Sequence, residues 1–240
     1  MAEICKNCKT EITLNYCPGC GHPKSLKKID GQYILQEIRG SLSLEKGFLF
    51  TIRALVVDPG GSIKGFIHED RNRLVKPIVF LIVASLAYSI LNNVFQFEDS
   101  YVTFSDKKGS ATLAISKWVQ ENYGYANIIM ALFIGLWLKL LFRKQLFNFF
   151  EILILLCFVM GMGMLIYSVF GVAQGLTHID LMQAAVVVGF VYTTYAVGQF
   201  FDKRNPISYF KAFIAYVIGM ISFSLTAIGI GMMIDWIMGN

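Results

Sequence analysis

Between Phe149 and Val172 the chain runs for 24 residues with one charged side chain, Glu151. About 20 apolar residues in a row, at 1.5 Å of rise each, match the roughly 30 Å hydrocarbon layer of a bilayer. Inside that layer the backbone has no water to bond, so such a run must be a helix that satisfies its own amides and carbonyls. Four more runs are of the same kind, and 55% of the chain is hydrophobic against 15% charged, which no soluble domain of this size could bury. The sequence therefore predicts an all-α integral membrane bundle of about five helices, spanning 77–95, 125–142, 149–172, 181–201 and 207–238.

Charge placement orients these spans. Arg71, Arg73 and Lys76 precede the first span and Glu98 and Asp99 follow it; Arg143 and Lys144 join the second to the third; Lys203 and Arg204 join the fourth to the fifth. Twelve of the 21 Lys and Arg residues precede Pro77. By the positive-inside rule the N-terminus is expected in the cytoplasm and the C-terminus outside. The first 25 residues contain no apolar stretch, so a cleaved signal peptide is not expected. Over 42–57, Leu44, Phe48, Ile52 and Leu55 recur at helical spacing beside Arg53, which predicts an amphipathic helix in the inner interface. Asp58-Pro59-Gly60-Gly61 is expected to stop it. Residues 26–76 thus read as a cytoplasmic linker and 77–240 as the membrane domain.

The most specific chemical signal lies in residues 1–25. Cys5, Cys8, Cys17 and Cys20 form C-x2-C-x8-C-x2-C, the spacing of a four-thiolate zinc ribbon. A segment this short cannot bury enough apolar surface to fold alone, so bound Zn2+ would supply most of its folding free energy. Iron in the same four-sulfur site, two disulfides or free thiols are the alternatives. A closed four-cysteine site has no open coordination position, which makes the expected metal structural. Cys157, inside the third span, reads as ordinary packing.

The order of parts resembles an uncharacterised family of bacterial, Bacteroidetes-type membrane proteins that begin with a zinc ribbon. The residues that carry the resemblance are Tyr16-Cys17-Pro18-Gly19-Cys20-Gly21, Thr51 to Gly60, Arg71 to Pro77, Leu140 to Lys144, and Glu151. Family members tend to have a Gly-Lys-Arg-like triplet where this chain has Glu69-Asp70-Arg71, so only Arg71 carries over. The span count also loosely resembles Yip1-like proteins. The resemblance implies a multi-pass protein of the bacterial inner membrane and no assigned activity.

Catalytic patterns are sparse. His68-Glu69-Asp70-Arg71-Asn72 begins like H-E-x-x-H but lacks the second histidine, and no phosphate-binding or nucleophile-elbow loop occurs in a suitable context. Lys139 and Glu151 are ionisable groups at membrane depth; snorkelling or pairing across the second hairpin accounts for both. Tyr192-Thr193-Thr194-Tyr195, Gly161 with Gly163, Ala215 with Gly219, and Ala227 with Gly231 read as helix-packing surfaces. Arg53, Arg71, Arg73 and Lys76 gather near the inner interface, where they are expected to anchor the chain or hold a lipid phosphate.

The leading functional reading is a membrane scaffold or adaptor, not an enzyme, whose ribbon engages a cytoplasmic protein partner. A small oligomeric transporter or channel is the alternative. The third reading is a lipid-acting enzyme using Glu69, Asp70 or Glu151. The bilayer, an anionic lipid and further copies of the chain are the other expected partners; nucleic acid is not, because the ribbon lacks a dense basic and aromatic surface.

Overall fold

A computed structural model of the protein describes residues 3–4, 10–12, 18–19, 44–70, 73–97 and 111–238. The chain divides into two units, Met1–Glu45 and Lys46–Asn240. In the first, strands β1 (Glu3–Ile4) and β2 (Glu11–Ile12) pair antiparallel, Glu3 opposite Ile12 and Ile4 opposite Glu11. The cysteines Cys5, Cys8, Cys17 and Cys20 lie outside the described residues.

The second unit is helical. Two short helices, α1 (Leu44–Val57) and α2 (Pro59–His68), precede α3 (Pro77–Phe95); α4 (Ala111–Glu121) leads into α5 (Tyr123–Leu141), followed by α6 (Phe149–Thr177), α7 (Met182–Asp202) and α8 (Pro206–Met238). Five of them, α3 and α5 to α8, are long and apolar enough to cross a membrane, which makes this a multi-pass membrane protein. The centre of the bundle is α6, whose broadest packing is against α3 and which also touches α2, α5 and α7. Gly161 makes the first contact possible, because a Cβ there would stand 2.8 Å from the Phe80 ring and 3.3 Å from the Leu81 Cα. Phe158, Phe80 and Phe66 fill the space beside it, with Phe158 5.4 Å from Phe66 and 5.8 Å from Phe80, ring centre to ring centre.

Two elements differ from the sequence expectation. Asp58-Pro59-Gly60-Gly61 does end α1, but it also starts α2, which the linker reading had missed. Proline is favoured at the first helical position, since its missing N–H would be unpaired there anyway and its φ already suits a helix. The glycine after it answers a steric need: a Cβ on Gly60 would lie 2.6 Å from the Phe200 N and 2.7 Å from the Gln199 carbonyl carbon. The second difference is α4, a helix in the stretch between the first two expected spans, 77–95 and 125–142. Its first residues are held from afar by Asp235 near the end of α8, whose carboxylate accepts the Ala111 N–H and, at 3.2 Å, the Thr112 hydroxyl. With 33 residues, α8 is about 50 Å long, more than a bilayer core requires, and its far end is where Asp235 meets α4.

Candidate functional site

Several polar joints of the helical unit tie α1 and α2 to α7 and to the residues just ahead of α3. Thr51, buried on α1, donates its hydroxyl proton to the Gly47 carbonyl at 2.7 Å and accepts the Val75 N–H at 3.0 Å, so α1 is tied to the residues just ahead of α3. Phe48 reinforces the tie, its ring centre 5.0 Å from that of Phe80. From the other side the Tyr192 hydroxyl donates to the Leu55 carbonyl at 3.2 Å. The most buried joint is at α2, where the Gly60 N–H donates to Gln199 Oε1 at 2.8 Å and Gln199 Nε2 reaches the Tyr195 hydroxyl at 3.4 Å. The first amides of a helix have no intrahelical acceptor. Gln199 supplies one from another helix, in a setting where an unmade bond would cost about 1 to 3 kcal/mol. Beside it Asp58 folds its carboxylate against Gly61, and its Oδ1 is buried without a hydrogen-bond partner.

Of the basic residues singled out in the sequence, Arg53 on α1, Arg73 and Lys76 are exposed, and Arg71 lies outside the described residues. Of the three described, Lys76 lines a cavity of about 670 Å3 between α2, α3, α5 and α6, and Arg53 and Arg73 do not. Two other cations lie over aromatic rings near this end of the bundle: Lys64 is 5.8 Å from the centre of Phe200 and 6.0 Å from that of Phe147, and Lys211 is 5.9 Å from Phe142.

Lys139 and Glu151 have structural partners, and not each other. Lys139 Nζ donates to the Phe147 carbonyl at 2.6 Å, closing the turn between α5 and α6. Glu151 completes a capping box at the start of α6: its Oε2 accepts the Asn148 N–H at 2.7 Å while its own N–H donates to Asn148 Oδ1 at 2.9 Å. Glu69 and Asp70 are exposed at the end of α2. Among the described residues no three of His, Cys, Asp and Glu come together to hold a metal ion. Cys157 is buried and free, a lining residue of the cavity.

Reading the sequence overlooked Gln199 and Asp235, and took Gly60 only as part of a helix stop. A search limited to charged groups at membrane depth passes over glutamine, although an amide amid apolar neighbours also demands partners. A family model described as "Protein of unknown function (DUF3667)" matches residues 45–89, the stretch that forms α1, α2 and most of α3. No curated protein and no solved structure matches the chain.

Proposed function

We propose that the protein is a membrane-anchored adaptor in which the N-terminal unit is a zinc ribbon that engages a cytoplasmic protein partner. The observation that carries this reading is the set of joints at α1 and α2. Thr51 to Val75, Tyr192 to Leu55 and Gly60 to Gln199 make the segment that follows residues 1–45 a fixed mount, where a free linker would need none of them. The C-x2-C-x8-C-x2-C spacing supports four thiolates around one structural Zn2+. The basic residues ahead of Pro77, at 143–144 and at 203–204 support a cytoplasmic N-terminus and an outside C-terminus. The transporter alternative has one observation in its favour. Ser85 Oγ and Asn127 Nδ2 are buried without partners, and a Cβ on Gly124, a turn before Asn127, would stand 3.7 Å from the Ser85 Cβ.

Metal analysis and crosslinked capture from native membranes test the adaptor reading together. The intact protein is expected to carry about one zinc per chain and to retain a specific cytoplasmic protein; Cys17→Ser with Cys20→Ser is expected to lose both. Zinc without a ribbon-dependent partner would remove the adaptor, and a chain that binds no zinc would remove the ribbon.

A further inference from the structure

The cavity beside Lys76 has an uneven lining. Its polar side chains, Lys76, Asn148 and Glu151, stand where α3 and α6 begin, and the remainder of the wall is apolar, including Ile128, Leu132 and Ile154. Ile78, Leu132 and Phe150 at its rim are exposed, so it opens on the surface that faces lipid. Its volume of about 670 Å3 is within the range of roughly 300 to 1,000 Å3 typical of small-molecule sites. From Asn148 to Cys157 it follows α6 for nine residues, about 13 Å of rise, close to half of the roughly 30 Å hydrocarbon layer. A groove with a polar head and an apolar body one leaflet deep has the shape of a single phospholipid.

The charges at the head narrow the choice. Lys76 is a cation with three donors, and Glu151 keeps Oε1 beyond the Oε2 that caps α6. A headgroup that satisfies both must present an anion and a protonated amine. We propose that this groove binds an ethanolamine phospholipid, with the phosphate toward Lys76, the ammonium toward Glu151 and one acyl chain along Ile128, Leu132 and Ile154. A glycerol headgroup has no cation for Glu151, and a choline headgroup has no N–H to donate to it. This site differs from the expected arginine cluster, since Arg53 and Arg73 do not line it. It is independent of the zinc ribbon and of any protein partner.

Glu151 permits a clean test, because glutamine preserves a capping box while removing the charge. The full-length protein is placed in phosphatidylcholine vesicles with a minor amount of a phosphatidylethanolamine whose acyl chain bears a photoreactive diazirine, and the labelled residues are mapped. Labelling is expected on the α5 and α6 walls of the groove. Unlabelled phosphatidylethanolamine is expected to compete about five-fold better than phosphatidylglycerol or phosphatidylcholine, the effect of roughly one charge interaction at a membrane surface. Glu151→Gln should erase the preference over choline, Lys76→Gln should lower labelling about five-fold, and Leu132→Trp should block it. Leu136→Trp, an exposed position one turn along α5, should leave labelling unchanged. The helical circular dichroism of each variant is compared with that of the parent, so that loss of fold is told apart from loss of lipid. Equal competition by all three lipids, or labelling that ignores Leu132→Trp, would mean ordinary boundary lipid and overturn the site. Stronger competition by phosphatidylglycerol would overturn the ethanolamine assignment, and crosslinks within the groove to a second copy or to residues 1–45 would overturn the lipid itself.

Discussion

Helices α6 and α8 are nearly alike in composition and opposite in environment. Their most apolar 18-residue windows have mean hydropathies of 2.5 and 2.1, yet 56% of the first window is buried inside the protein and only 11% of the second. Hydropathy therefore finds the membrane and says little about the core, because lipid tails and protein interiors are equally welcoming to Leu and Ile. Neighbours approach glycines on both helices equally closely, and what separates the two is coverage: α6 packs against α2, α3, α5 and α7, whereas α8 packs against α4, α5 and α7 and leaves much of its surface exposed. On α6, Gly161, Gly171 and Gly175 each seat a phenylalanine ring, those of Phe80, Phe97 and Phe95, all delivered by α3 and the residue pair beyond it. On α8, Gly219 meets backbone at Ile134 of α5 and Gly231 meets Thr112 of α4, while Ile221, Leu225, Met232 and Met233 are exposed.

The contrast breaks most visibly at Gly161. Gly161→Leu is expected to force α3 away from α6 and to cost about 3 kcal/mol, seen as a large loss of Tm in detergent or failure to purify as a folded species. A tolerated leucine would mean that α6 is not the centre of the bundle. A middle-sized effect is expected where α8 does make contact. Asp235→Ala removes the remote cap of α4 and should cost about 1 kcal/mol, with faster amide hydrogen exchange confined to residues 111–121. The smallest effect belongs to the exposed face: Leu225→Ala should change stability by less than about 0.5 kcal/mol. If it were as costly as Gly161→Leu, α8 would have to be covered in the membrane by another protein surface, and crosslinking at position 225 would identify it.

The same contrast explains what could be read from the chain before its structure. Five spans were legible because an apolar helix in lipid is dictated by local facts, the run of side chains and the backbone's need to bond itself. Helix α2 was not legible, because Pro59 and Gly60 look like breakers until Gln199, far along the chain, is seen to require them. Helix α4 was hidden for a similar reason, since the acceptor for its first amides is on α8. Lys139 and Glu151 were noticed for their charge, but their roles depend on Phe147 and Asn148, whose geometry only a folded turn defines. The cavity at Lys76 draws its walls from four helices, and no single stretch of sequence announces it.

The bond between Gly60 and Gln199 also has a schedule. Its two ends are 139 residues apart, and at ribosomal rates of about 5 to 20 residues per second roughly 7 to 28 s pass between the making of the donor and of its acceptor. During that interval α3 to α6 are synthesised while the N–H of Gly60 lacks its final acceptor. The last joint of α2 is therefore a late event in biogenesis: α1 can already be tied to Val75 and Phe80, but the Gly60 bond closes only when α7 arrives.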